Sequence, residues 1–214
     1  VIVFYRHAIT ETRGGEEMLL SPGERARADR FATATLRTRY VAAHAFLRRA
    51  LARHTGAGAA GLRFGAGEFG KPLLVDFPRV HFNLSHSGDW AVCAVAEDGP
   101  IGVDIEEMRP LPDYDELAAR VFSAEEMRRM AAASDSLRTF YDIWTKKEAV
   151  IKADGRGLAM PLPSFHVPED ASGVSRPDGR WAVRALDAPA GYAAATAFPA
   201  RVRPAALHLQ EFRT

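Results

Sequence analysis

Helix-like and strand-like hydrophobic patterns alternate along this chain in long blocks, and their order narrows the folds open to it. An apolar run at Val1 to Tyr5 reads as a strand, and helical sequence then extends from Ser21 to about His54. Strand patterns follow at Val80 to Leu84, Asp89 to Ala96 and Ile101 to Glu106. A second helical block covers about Asp113 to Ala153, and strands return at Ser164 to Val167, Arg180 to Leu186 and Tyr192 to Phe198. This order describes an α+β protein of two halves, 1–103 and 104–214, each with a small, mainly antiparallel sheet packed on helices.

Local signals mark the ends of these blocks. Ser21-Pro22-Gly23-Glu24 carries a capping serine, a proline suited to the first helical position and a glutamate that can close a capping box. A break is expected at Ala32 to Thr35, a second capping box at Ser123 and Glu126, and a helix stop at Gly155. Leu137, Phe140, Trp144 and Ile151 form an apolar helical stripe. Ser85-His86-Ser87-Gly88, Glu97-Asp98-Gly99-Pro100 and Asp178-Gly179 read as turns.

The 214 residues are 47% hydrophobic and 26% charged, which excludes a disordered tail and allows a real core. A net charge of +1 gives no global reason to expect a nucleic acid or an anionic membrane as partner. The lone cysteine, Cys93, excludes an internal disulfide and a cysteine metal cluster. No run approaches the roughly 18 apolar residues of a membrane span. We therefore expect a soluble, cytoplasmic protein.

Three constellations can carry chemistry. Ile101-Gly102-Val103-Asp104-Ile105-Glu106 alternates, so Asp104 and Glu106 share a strand face beside a glycine that lets a ligand approach. Such a pair suits a hard divalent ion, or it is a solvated acidic edge. Glu148 and Lys152 share one helix face, either as a surface ion pair or, with Trp144 one turn earlier, as a partly buried site. Asn83-Leu84-Ser85-His86-Ser87 offers hydroxyl, amide and imidazole groups to a phosphate, or is an ordinary hairpin corner. No Walker A loop or G-x-S-x-G element is present, and the other histidines, His208 among them, show no metal-ligand spacing.

In order and spacing, four motifs resemble those of the 4′-phosphopantetheinyl transferases, most closely the large, surfactin-synthetase-activating type. They are Gly70-Lys71-Pro72, Phe82 to Ser87, Ile101 to Glu106, and Phe140 to Lys152 with Trp144, Lys147, Glu148 and Lys152. The resemblance implies a pseudo-dimeric chain whose two halves are related by a pseudo-twofold axis. Coenzyme A contacts would lie in the first half, and metal and catalytic residues in the second. It implies transfer of the phosphopantetheine arm of coenzyme A to a serine of an apo acyl or peptidyl carrier protein, with release of adenosine 3′,5′-bisphosphate. Mg²⁺, with Mn²⁺ as a substitute, would be held by Asp104, Glu106 and Glu148. Gly70, Lys71 and Pro72 would line the adenine end, and Ser85, His86 and Arg39 the phosphate end. Lys147 and Lys152 would also contact the cofactor and, with Glu148, act in catalysis. At Glu24 the family often has a basic residue, for which Arg25 or Arg27 would substitute. The segment Met108 to Met130 mixes Leu111, Tyr114, Val121, Phe122 and Met127 with Arg109, Arg120, Arg128 and Arg129, which would suit an acidic carrier. A monomer is expected.

Overall fold

The computed structural model describes residues 2–10, 14–167, 169, 180–202 and 210–212. A short helix, α1 (Glu16–Leu19), precedes the first capping box. Ser21 accepts the Glu24 backbone N–H, and the Glu24 carboxylate accepts that of Ser21, opening α2 (Pro22–Ala28). Thr33 caps α3 (Ala34–Thr55), so the expected break is present. In the second half, α4 (Tyr114–Val121) is followed by α5 (Ala124–Ala132), which the Ser123–Glu126 box opens, and by α6 (Ser136–Asp154). Helix α6 stops at Gly155, whose φ of 86° is left-handed and whose N–H bonds the Ile151 carbonyl.

The first half builds an antiparallel sheet from β1 (Ile2–Ala8), β4 (His81–Ser87) and β5 (Trp90–Ala96). The short β9 (Gln210–Glu211) joins it in parallel beside β1. A ribbon of β2 (Phe64–Ala66) and β3 (Pro72–Leu74) stands apart. The second half builds a three-stranded antiparallel sheet in the order β6 (Gly102–Glu107), β8 (Tyr192–Pro199), β7 (Trp181–Ala185).

Alternation decides what each sheet face covers. Tyr5, Cys93, Val95 and Phe82 pack against Phe46, Ala50 and Leu51 of α3. Phe4, Val92 and Ala94 point the other way, onto Ile101, Val103, Ile105 and Phe198 of the second sheet. That sheet turns Val183, Ala195 and Ala197 toward Phe140, Ile143 and Val150 of α6. The layers are therefore helix, sheet, sheet, helix, with an apolar seam between the sheets.

Two expectations are corrected. Ser85, His86 and Ser87 are not a turn: β4 pairs with β5 as far as Ser87 opposite Trp90, leaving Gly88 and Asp89 as the loop. Gly88 takes the positive φ, 53°, that such a tight connection needs. Ser164 to Val167 is not a strand but the end of a 3₁₀ turn and irregular chain. Buried side chains satisfy its backbone instead of a ladder, because Glu126 accepts the Val167 N–H and Lys147 donates to the Phe165 carbonyl. The Asp178-Gly179 turn and His208 lie outside the described residues.

Candidate active site

Strand β6 and helix α6 are in backbone contact. A Cβ on Gly102 would stand 2.0 Å from the Ala149 carbonyl oxygen and 2.5 Å from the Ala153 nitrogen. Gly102 therefore admits a helix, not the ligand expected beside it. With Ile101, Val103 and Ile105 buried in the seam between the sheets, alternation leaves Asp104 and Glu106 on the α6 side of β6. There they meet Trp144, Glu148 and Lys152, which share one face of α6.

The Lys152 Nζ lies 2.5 Å from Asp104 Oδ1 and 3.0 Å from Ser85 Oγ. Ser85 donates to the same Asp104 oxygen at 2.7 Å. Burial raises the Asp104 pKa against the pull of Lys152, Ser85 and the Ile105 N–H. Burial and the Asp104 charge raise that of Glu106, opposed by Ser87, Lys152 and the Trp144 indole. Glu148 is pushed up to about 7 by burial and by repulsion from Asp104 and Glu106, against Lys152. The three carboxylates are electrostatic neighbours with too little positive charge among them.

The donor set here is compatible with a divalent cation in one respect. Asp104 Oδ2 is buried and has no hydrogen-bond partner, so one hard oxygen donor stands uncommitted beside two further carboxylates. Among the described residues no three such side chains stand preassembled around a common point. Lys152 occupies Asp104 Oδ1, and Ser87 Oγ holds Glu106 Oε2 at 2.7 Å.

Beyond Lys152 lies a group of basic side chains. Desolvation, then His44, Lys152 and Arg39, hold His86 below its usual pKa, although its edge reaches solvent. Arg39 is paired with Asp89 at 2.5 Å. Two cavities that meet at Gly70 and Pro72 form an elongated cleft nearby, lined by neither His86 nor Arg39. One cavity of about 350 Å³ is lined by Phe69, Lys71, Glu148, Ile151 and Lys152. A second, of about 900 Å³, is lined by Arg25, Arg27, Tyr40, His44 and Arg48. Gly70 and Pro72 line both. A further hollow of about 540 Å³, between α5, α6 and the β7–β8 hairpin, holds none of the three carboxylates.

Glu24 is not an open position in this cleft. It takes Arg48 Nη2 at 2.6 Å and His44 Nδ1 at 3.1 Å besides capping α2. Burial alone would raise its pKa, but bonds from His44, Arg48 and Ser21 hold it at about 2. Arg25 donates to the Leu20 and Glu17 carbonyls, whereas Arg27 lies over the Tyr40 ring, 5.8 Å from its centre.

Lys71 and Lys147 both direct their ammonium groups at backbone carbonyls. Lys71 Nζ donates to the Ile101 carbonyl at 3.0 Å and the Ala153 carbonyl at 3.1 Å, tying the ribbon to β6 and to the end of α6. Its desolvation lowers the pKa to about 8, against the pull of Asp154. Lys147 is 1% exposed and points into the second core, away from Glu148 and Lys152. Its Nζ bonds Glu126 Oε2 at 2.9 Å and the Leu162 and Phe165 carbonyls at 2.7 and 2.6 Å. In the segment Met108 to Met130, Phe122 is buried and Val121 and Met127 pack against the same core. Leu111 alone of the named apolar residues is substantially exposed, and Arg109, Arg120 and Arg128 are exposed as well. Arg129 donates to the Val167 carbonyl at 2.9 Å.

Sequence reasoning passed over Arg48, gave Glu126 a capping role alone and did not connect Ser87 to Glu106. The period-two spacing of Asn83, Ser85 and Ser87 along one strand face was the signal for the last.

Comparison with known proteins defines the class. Residues 16–98 match the profile described as 4′-phosphopantetheinyl transferase, N-terminal, and residues 100–197 match that of the 4′-phosphopantetheinyl transferase superfamily. The chain belongs to that superfamily. A 4′-phosphopantetheinyl transferase of Bacillus subtilis is 43% identical over 138 residues, which cover 62% of this chain and 60% of that protein. The 4′-phosphopantetheinyl transferase Sfp of Bacillus subtilis strain 168 is 37% identical over 150 residues, 69% of this chain and 66% of that one. The 4′-phosphopantetheinyl transferase HetI of Nostoc sp. is 39% identical over 145 residues, 65% of this chain and 61% of the relative. The chain thus spans less than two thirds of the length of these relatives. Among the described residues no helix is long and apolar enough to cross a membrane.

Proposed function

We propose that this protein transfers the 4′-phosphopantetheine arm of coenzyme A to a serine hydroxyl of an apo acyl or peptidyl carrier protein, releasing adenosine 3′,5′-bisphosphate. The observation that carries the reading is the meeting of Asp104, Glu106, Glu148 and Lys152 at one end of an elongated cleft with a basic cluster beside it. The surfactin-synthetase-activating type is supported by N-terminal and superfamily matches in one chain. In keeping with it, each half sets a long helix on a small, mainly antiparallel sheet, which we read as a pseudo-twofold duplication, although the expected division at 103/104 falls inside β6 and β9 of the second half joins the first sheet. We take the protein to act as a monomer in the cytoplasm, with neither nucleic acid nor membrane as partner.

Coenzyme A would lie along the cleft, its adenine near Gly70, Lys71 and Pro72 and its phosphates near Ser85, His86, Arg39 and Lys152. Arg27, which has no acidic partner among the described residues and lies over Tyr40, serves where the family offers a basic residue at Glu24. Asp104 and Glu106 would hold Mg²⁺, which when bound neutralises charge on the diphosphate. The carrier serine oxygen bonds to the β-phosphorus as the bond from that phosphorus to the bridging oxygen breaks. Glu148, with a pKa near 7, takes the serine proton. A carboxylate cannot grip a cation and accept a proton at once, so Glu148 serves as base where Asp104 and Glu106 carry the ion. Lys152 supplies positive charge to the departing oxygen of the bisphosphate. Lys147 holds the second core together and takes no part in the chemistry. The carrier would dock over Met108 to Met130, on exposed Leu111 and its arginines.

Mass spectrometry of an apo carrier protein incubated with the chain, coenzyme A and Mg²⁺ tests this. A mass gain equal to the arm is expected, and its loss in folded Asp104→Ala and Glu148→Ala. A carrier left unmodified by the wild-type chain, or modified by either variant at the wild-type rate, would overturn the assignment.

A further inference from the structure

Strand β6 is an edge strand of its sheet, and its free side faces β4 of the other sheet. The two strands share no backbone ladder. Instead three alternate side chains of β4 accept three alternate N–H groups of β6. Val103 N donates to Asn83 Oδ1 at 2.8 Å, Ile105 N to Ser85 Oγ at 3.4 Å and Glu107 N to Ser87 Oγ at 3.1 Å. The two serines are also donors. Ser85 gives its hydrogen to Asp104 Oδ1 and Ser87 gives its own to Glu106 Oε2, each at 2.7 Å. Each hydroxyl thus ties the β6 backbone and a β6 carboxylate to the opposite half of the molecule.

We propose that Ser87 is a positioning residue for Glu106, and that this polar seam between the halves sets the carboxylate pair in register for a divalent cation. The inference rests on the function proposed above. A carboxylate on a two-bond arm rotates freely unless something holds one oxygen. Ser87 holds Oε2 of Glu106, a carboxyl that the Trp144 indole also reaches, while Ser85 bonds one oxygen of Asp104, whose Oδ2 stays uncommitted. Asn83 forms the third rung of the seam but touches no carboxylate. It separates holding the halves together from aiming the ligands.

The test compares the whole wild-type chain with Ser87→Ala, Ser87→Cys, Ser87→Thr and Asn83→Ala. Mn²⁺ binding is read from the electron paramagnetic resonance of free Mn²⁺, and the thermal midpoint and the KM for Mg²⁺ in arm transfer are measured alongside. Loss of such an outer hydrogen bond weakens metal binding by about 10-fold to 100-fold. Ser87→Ala is expected to weaken Mn²⁺ binding by that factor and to raise the Mg²⁺ KM in parallel. Ser87→Cys, close in size but a poor donor, should do the same and serves if the alanine variant does not fold. Ser87→Thr keeps the hydroxyl and should restore binding. Asn83→Ala should lower the midpoint while Mn²⁺ affinity stays within about threefold of wild type. Wild-type Mn²⁺ affinity in Ser87→Ala or Ser87→Cys, or an equal loss in Asn83→Ala, would overturn the proposal with the transferase reading intact. A wild-type chain that binds Mn²⁺ but leaves the carrier unmodified would instead overturn the transferase reading.

Discussion

Lys147 lies one residue before Glu148, yet its removal should act on stability and not on chemistry. Both it and Glu126 are 1% exposed, and their charged atoms stand 2.9 Å apart. In Lys147→Met the Leu162 and Phe165 carbonyls lose their donor, while Glu126 keeps its bonds from the Ser123 and Val167 N–H groups. Breaking a buried pair by removing one member costs about 3–5 kcal/mol. For a chain of this size each kcal/mol lowers the thermal midpoint by about 2–4 °C, so a fall of roughly 6–20 °C is expected. Calorimetry checks the midpoint, and arm transfer well below it checks the chemistry. The folded variant should turn over near the wild-type rate. A midpoint within about 1 °C of wild type, together with a rate loss of about 100-fold or more, would refute the reasoning and return Lys147 to the catalytic group.

Glu24 makes acid stability a second test. Its carboxyl is held at about 2 against an ordinary value of 4.5, so the stability it contributes is complete above about pH 4.5 and lost as pH falls toward 2. Full linkage is about 3 kcal/mol, and solvent screening reduces it to about 2 kcal/mol; urea denaturation of Glu24→Gln between pH 5 and pH 2 should show a flatter acid limb by that amount. Gly102→Ala forces a Cβ into the α6 backbone, and a loss of about 3 kcal/mol or a failure to fold is expected in chemical denaturation. Lys71→Met removes two donors from the Ile101 and Ala153 carbonyls and should cost about 1–3 kcal/mol, measurable in urea. Reversing Arg120 and Arg128, both exposed, to Glu should raise the carrier KM and leave coenzyme A affinity unchanged; equal carrier kinetics would remove the docking surface from Met108 to Met130.

Features that depend on near neighbours could be read from the order of residues. Both capping boxes, the Gly155 stop and the alternation of Ile101 to Glu106 are rules of three or four residues, and each holds in the structure. Within α6, the four-residue spacing of Glu148 and Lys152 already placed them on one face. Lys147 and Lys152 are five positions apart, which at about 100° per residue turns them about 140° away from each other. Which of the two faces the acidic strand depends on where the second sheet lies, and no local pattern contains that. The glycine at 102 was legible as a close approach, but only tertiary packing decided that a helix and not a ligand makes it. Ser85 and Ser87 likewise became hinges between two sheets because β6 was left with an open edge. Local sequence determined the elements and their faces, since hydrogen-bond geometry and side-chain period act over a few residues. The grouping of acids, lysine and serines arose only when distant strands met, where the need to satisfy every buried polar group selected one arrangement.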